Sequence, residues 1–79
     1  KLRTSTSLSF TLNSLSNTTA LVEVYNANGI KVLSTTKDVF KGDNTIVQNI
    51  SKLQTGNYIL KITIGDIQQT KQLAIMNRP

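Results

Sequence analysis

The 79-residue chain contains no cysteine and no histidine. A thiolate nucleophile and an imidazole general base are therefore both excluded, together with the ligands that most zinc sites use. No disulfide can support the fold either. A domain of this size must consequently hold together by sheet pairing and aliphatic packing alone.

Acidic groups are also few, since the chain has only four Asp and Glu residues. Asp38, Asp43 and Asp66 lie at or near predicted turns, where aspartate is favoured because its side chain bonds to nearby backbone groups. Glu23 lies in the middle of a predicted strand, with its side chain expected to point outward. Acid–base catalysis needs two such groups to converge, and calcium needs about 6–8 oxygen ligands, which the turn at Asp43 and Asn44 does not supply. We therefore predict no enzymatic activity, no metal site and no cofactor.

Long apolar runs are missing as well. The first five residues lead into alternating polar positions instead of the apolar run of about 7–15 residues that marks a signal peptide. No stretch approaches the roughly 20 apolar residues of a membrane-spanning helix, so we expect no membrane insertion. If the protein is exported, we expect its signal peptide to lie upstream in a longer precursor, of which this module forms the end.

Positive charge is in excess but dispersed. Nine Lys and Arg residues against four acids give a formal net charge of +5. The lysines occur singly, at Lys31, Lys37, Lys41, Lys52, Lys61 and Lys71. Nucleic-acid binding typically uses clustered cations and aromatic stacking platforms, so we expect no nucleic-acid partner. Diffuse positive charge is easier to reconcile with an anionic protein or glycolipid.

Alternation of apolar and polar residues runs along the whole chain and predicts strands at residues 8–12, 20–26, 30–33, 35–40, 45–48, 56–64 and 70–76. The strand at 35–40 is the least regular. Turn residues separate the strands, notably at Gly29, at Gly42 and at Gly65-Asp66. Short strands about 10 residues apart, with no helical period, predict one all-β domain over residues 1–79. Its architecture is expected to be a small antiparallel immunoglobulin-like β-sandwich of six or seven strands.

The inward positions of these strands give the predicted core: Phe10, Leu12, Val22, Val24, Val32, Phe40, Ile46, Ile50, Leu53, Tyr58, Leu60, Ile62, Leu73 and Ile75. Leu21, Leu33 and Ile59 lie on the opposite faces and are candidates for a second apolar patch. We expect Gly56 to need a positive φ or a close backbone approach. Tyr58 should pack its ring under the sheet and direct its hydroxyl to a backbone acceptor or the surface.

A series of motifs occurs in a fixed order along the chain. A valine-tyrosine strand with a glycine turn and a returning strand occupies residues 22–32. Leu53-Gln54-Thr55-Gly56-Asn57-Tyr58 follows, and Lys71-Gln72-Leu73 begins the last strand. In this order and spacing the chain resembles the C-terminal sorting domain (type A) of the type IX secretion system of Bacteroidetes, over roughly residues 7–76. It departs from that family's pattern in having no proline before the first strand, Asn26 where aspartate is common, and Arg78 near the end where lysine is common.

The resemblance implies a non-catalytic secretion signal that directs a cargo protein through the type IX translocon to the cell surface or medium, after transit through the periplasm. Its implied partners are the translocon, a sortase and an N-terminal cargo domain, with the module itself a monomer. The residues that match the motifs, and so the candidates for partner recognition, are Gly56, Tyr58, Lys61, Lys71 and Leu73. If the last two strands pair about Gly65-Asp66, Lys61 and Lys71 are expected to lie near one another on one face.

Three alternatives remain open from the residues alone. The two lysines can be solvated side chains that protect an exposed sheet. A carbohydrate-binding or adhesive immunoglobulin-like module is an alternative function, although sugar binding needs exposed aromatic rings and most of the four aromatics are predicted to be buried. A passive spacer domain is the third. Compared with a carbohydrate-binding module and a spacer domain, the secretion signal alone explains a lysine-led strand at the end of the chain.

Overall fold

Six strands form the described part of the chain, residues 7–76 of the computed structural model. They are β1 (Ser7–Ser14), β2 (Thr18–Asn26), β3 (Lys31–Val39), β4 (Gly42–Asn49), β5 (Gly56–Ile64) and β6 (Ile67–Ile75). The all-β prediction is confirmed, and the two strands predicted at 30–33 and 35–40 are one continuous strand, β3. Arg78, which stands where lysine is common in the family that the chain resembles, lies outside the described residues.

The strands form two antiparallel sheets. A small sheet contains β1 and β4, and a large sheet has the order β3-β2-β5-β6. We call the side of the large sheet that faces the small sheet its inner face, and the opposite side its outer face. Because side chains alternate along a strand, the two central strands contribute every second residue to the core: Ala20, Val22 and Val24 from β2, and Tyr58, Leu60 and Ile62 from β5. The predicted immunoglobulin-like sandwich is confirmed in these terms.

The core lies between the sheets and contains mostly aliphatic side chains. Among residues 7–76, Tyr58 is the only aromatic residue that is buried in this core. The connection between β4 and β5 adds Ile50 and Leu53 to it. Burial of this apolar surface is the main stabilising contribution in a chain without disulfides. The buried hydrophobic residues are Leu12, Ala20, Val22, Val24, Val39, Ile46, Ile50, Leu53, Tyr58, Leu60, Ile62 and Ile75, with Phe10 and Leu73 among those partly buried against them.

The prediction that Val32 belongs to the core is wrong. The pairing of β2 with β3 shifts by one residue between Val24 and Tyr25, so that Leu33 lies opposite Val24 and packs against the core. Val32 is the extra residue of this bulge and is 38% exposed. A one-residue shift exchanges the faces of a strand, and Leu33 therefore takes the place that the alternation assigned to Val32.

The prediction that Phe40 is buried is also wrong. β3 continues through Val39, which pairs with Thr18 and is 1% exposed, whereas Phe40 comes after the strand and is 62% exposed. The backbone of Phe40 is held in the connection to β4, because its N–H donates to Asn44 Oδ1 at 2.9 Å and its carbonyl accepts from Asn44 Nδ2 at 2.7 Å. These bonds fix the backbone at Phe40 while its ring stays at the surface.

The turn between β2 and β3 is organised by one side chain. Asn26 Oδ1 accepts hydrogen bonds from the N–H groups of Asn28 at 2.9 Å and Ile30 at 3.0 Å. The Asn26 carbonyl accepts from Gly29, whose φ of 81° lies in the left-handed region that glycine adopts without strain. A turn followed by a left-handed residue is a common three-residue hairpin loop, and the predicted hairpin is confirmed.

Candidate functional site

The hairpin of β5 and β6 carries all five residues that match the family motifs. Tyr58 lies directly opposite Leu73, and Gly56 lies opposite Ile75. Lys71 follows on the same face as Leu73, two residues away along β6. Cross-strand partners share a face of the sheet, so Gly56, Tyr58, Leu73 and Lys71 line one side of this hairpin.

Lys61 and Lys71 do not lie on one face, and this part of the prediction is wrong. The predicted turn at Gly65-Asp66 is present and pairs Ile64 with Ile67. Counting back along both strands from that pair, Lys71 lies opposite Leu60, and Lys61 lies opposite Thr70. Leu60 is 1% exposed on the inner face, so Lys71 belongs to the inner face and Lys61 to the outer face.

Lys61 lies beside an acidic side chain. Its partner on β2 is Glu23, which is on the outer face as expected but is buried, with 7% exposure. Glu23 Oε2 also forms an ion pair with Lys31 Nζ at 3.1 Å. A buried carboxylate needs compensating charge, so Lys61 and Lys31 both have a structural reason to be there. Lys71 differs from them, because it is exposed and lies opposite the uncharged Leu60.

Tyr58 has the structural role that the sequence predicts. Its ring is buried, with 8% of the residue exposed, and its hydroxyl donates to the backbone carbonyl of Gln54 at 2.7 Å. This bond ties the start of β5 to the connection that precedes it, because the acceptor lies four residues upstream. A buried tyrosine usually finds a partner for its hydroxyl, and here the partner is the first residue after Leu53 of the motif.

Position 56 does not require glycine for the conformational or steric reason that the sequence suggested. The glycines of residues 7–76 with positive φ are Gly29, Gly42 and Gly65, and Gly56 is not among them. A Cβ built on Gly56 meets Tyr58 Cε1 at 3.6 Å and the Gln54 carbonyl oxygen at 4.0 Å, which are ordinary van der Waals distances. The expectation of a positive φ or a close backbone approach is therefore wrong. Space for a methyl group is present beside the Tyr58 ring.

A cleft of about 690 Å³ lies where the β2–β3 turn approaches the start of β5 and the end of β6. Tyr58 and Leu73 contribute to it. Its lining contains no charged residue and consists of Tyr25, Asn26, Ala27, Gly29, Asn57, Tyr58, Ile59, Gln72, Leu73 and Ala74. Sequence reasoning assigned no role in the site to Asn57 and Gln72, although each is a neighbour in sequence of two motif residues.

The side chains of the turn considered for calcium form hydrogen bonds within the turn and to the neighbouring strand β1. Asn44 Nδ2 donates to the carbonyls of Phe40 and Gly42, and Asp43 Oδ1 accepts from Asn13 Nδ2 at 3.0 Å. Within residues 7–76 no group of three or more His, Cys, Asp or Glu side chains is placed to hold a metal ion. The hydrogen bonds of Asn44 and Asp43 give both residues structural roles in the turn.

Residues 7–76 include no helix that is long and apolar enough to cross a membrane.

Comparison with known families identifies the family of the chain. The sequence model of the family described as "Secretion system C-terminal sorting domain" matches residues 4–76. The chain belongs to this family. The resemblance indicated by the order of the motifs is thereby confirmed, and with it a role as a sorting signal for secretion. None of the curated proteins and none of the solved structures compared with the chain matches it.

One departure of this sorting domain from the family pattern has a simple explanation in its structure. Asn26 stands where the family commonly has aspartate, and the two side-chain bonds seen at Asn26 are both accepted by Oδ1. A carboxylate oxygen accepts the same bonds. The substitution therefore preserves the turn between β2 and β3.

Proposed function

We propose that this sorting domain is a non-catalytic signal, recognised as a folded surface, that directs a cargo protein joined to it through the type IX translocon. The cargo passes through the periplasm and reaches the cell surface or the medium, where a sortase acts on it. The domain works as a monomer and inserts into no membrane. The observation that supports this proposal is the family match over residues 4–76.

The recognition surface proposed here is the inner-face side of the β5–β6 hairpin. Gly56, Tyr58, Leu73 and Lys71 share that side, and of these Lys71 is the exposed charge with no acidic residue opposite it. Complementary charges across an interface mainly add specificity and speed of association. A translocon surface with acidic groups is therefore the partner that fits Lys71. Lys61 contributes to recognition indirectly, because it lies opposite the buried Glu23, compensates its charge and so stabilises the sheet that carries the surface.

Export of a reporter tests the proposal. A periplasmic reporter fused in front of this domain should leave the periplasm in a type IX competent bacterium and remain there in a strain that lacks the translocon. The reporter without the domain should stay in the periplasm of both strains. Retention of the intact fusion in the competent strain would contradict the proposed function.

Single lysine substitutions test the surface. Lys71→Ala should lower the exported fraction of the reporter. Lys52→Ala, which changes an exposed lysine in the connection between β4 and β5, is the matched control and should not lower it. Surface substitutions of this kind usually change stability by less than about 0.5 kcal/mol, so both variants should remain folded. Equal export of the two folded variants removes Lys71 from the recognition surface.

A further inference from the structure

The two edge strands of the large sheet differ in how they are protected. β3 carries Lys31, Lys37 and Asp38 and pairs with β2 through the bulge described above. β6 pairs with β5 through nine successive residue pairs without a shift and carries a single charge, Lys71, and no proline. Charges, prolines and bulges are the usual means of preventing an edge strand from pairing with another chain. Within residues 7–76, β6 pairs with β5 alone, so its other edge is open, and a single lysine is the protecting feature that it carries.

The turn before β6 determines which of its backbone groups point away from the sheet. Gly65 has a φ of 58°, and none of the described non-glycine residues, Asp66 included, has a positive φ. This combination is typical of a type II′ two-residue turn, in which the flanking pair, Ile64 and Ile67, exchanges hydrogen bonds. Bonded and non-bonded pairs alternate along an antiparallel ladder. The outward N–H and C=O groups of β6 are therefore those of Gln68, Thr70, Gln72 and Ala74.

Lys71 decides what kind of strand fits this edge. A second copy of β6 paired antiparallel over its full length places Thr70 opposite Gln72 and each Lys71 opposite the other. That contact is a non-hydrogen-bonded pair, in which the Cα atoms are only about 4.5 Å apart. Like charges directly opposite one another are destabilising in a sheet, whereas opposite charges are favourable. The position disfavours a homodimer and favours an acidic residue on a different chain.

We propose that β6 accepts an extended strand from an acidic partner protein, with an aspartate or glutamate opposite Lys71. Backbone hydrogen bonds to Gln68, Thr70, Gln72 and Ala74 supply affinity, and the charge pair sets the register, as in other cases of strand addition. The net charge of +5 attracts such a partner over longer distances. That the strand belongs to a protein of the export route rests on the proposed function.

Amide hydrogen exchange measured by NMR tests the interaction directly. The probes are two capped nine-residue peptides of alternating threonine and valine, one with a central glutamate and one with glutamine in its place. The glutamate peptide should slow exchange of the amides of Gln68, Thr70, Gln72 and Ala74 and leave β3 unchanged. It should bind about threefold more tightly than the glutamine peptide. Protection of β3 instead, or protection of β6 in the free domain that rises with its concentration, overturns the proposal.

Three variants make the test specific. Gln72→Pro removes one outward N–H and leaves the ladder to β5 intact, because proline is tolerated on an edge strand where its nitrogen faces solvent. It should weaken peptide binding about tenfold. Gln72→Ala, which keeps the N–H, is the matched control and should bind the peptide like the unaltered domain.

Lys71→Glu should reverse the charge preference, so that a peptide with a central lysine binds best. This reversal does not depend on the folding of the proline variant, and its absence contradicts the proposal.

The reporter fusion distinguishes this proposal from the proposed function. Retention of the unaltered fusion in the periplasm overturns the proposed function, and protection of β6 by the glutamate peptide then still supports strand addition. Export of the unaltered and Gln72→Pro fusions to the same extent, together with unchanged exchange at β6, overturns strand addition alone. Loss of export in the folded Gln72→Pro fusion, with normal export of Gln72→Ala, supports both.

Discussion

Replacing Gly56 by alanine should stabilise the domain, although glycine is the residue that the family motif carries at this position. Gly56 lies outside the left-handed region, and an added Cβ meets its nearest atoms at 3.6 and 4.0 Å. Alanine restricts the unfolded chain more than glycine does, which is worth about 0.4–1 kcal/mol where the native backbone accepts it. In a domain of this size that corresponds to a rise in Tm of roughly 2–8 °C.

The measurement is a thermal melt followed by circular dichroism, with Gly65→Ala as the matched control. Gly65 has a φ of 58°, where a Cβ costs about 1–2 kcal/mol, so the control should melt at a lower temperature than the unaltered domain. A fall in Tm for Gly56→Ala as large as that of Gly65→Ala would show that the backbone at position 56 does not accept a Cβ. If the stabilised Gly56→Ala domain is also exported poorly, Gly56 is a contact of the partner.

Two further substitutions test the packing. Tyr58→Phe removes the hydroxyl that donates to the Gln54 carbonyl at 2.7 Å and should cost about 0.5–1.5 kcal/mol in denaturant unfolding, with an unchanged m-value. No loss would show that the bond does not stabilise the fold. Gln48→Met should raise the free energy of unfolding by less than about 1 kcal/mol, because it removes a buried Oε1 that has no hydrogen-bond partner in the structure but also loses the bond from Nε2 to the Asn49 carbonyl at 3.1 Å. A loss of stability in this variant would indicate that the amide is satisfied in solution.

The strands and their turns were largely predictable because a half-buried strand repeats every second residue and glycine marks the turns. The alternation did not predict which residues of β3 are buried. The bulge opposite Val24 depends on how β3 pairs with β2, and pairing is a tertiary property that one strand's alternation does not record. Leu33 and Val39 therefore occupy positions that the sequence pattern assigned to Val32 and Phe40.

The candidate site was partly predictable as well. The role of Tyr58 follows from its amphipathic side chain, and the turn at Gly65-Asp66 follows from its residue types. The separation of Lys61 from Lys71 was available in the sequence, because a two-residue turn pairs Ile64 with Ile67 and so places Lys71 opposite Leu60. The burial of Glu23 was not, since it depends on Lys31 and on neighbouring strands of the sheet.

Two adjacent substitutions outside the hairpin test whether the translocon recognises the folded domain or a linear segment of it. Val39→Asp places a charge at a position that is 1% exposed and should unfold the domain, whereas Phe40→Asp changes a residue that is 62% exposed. Both leave residues 56–76 unaltered. The measurement is the exported fraction of the intact, full-length reporter fusion, with circular dichroism of each purified domain. If the folded domain is recognised, the Phe40→Asp fusion is exported normally and the unfolded Val39→Asp fusion stays in the periplasm. Equal export of the two fusions would show that the fold is not needed for recognition.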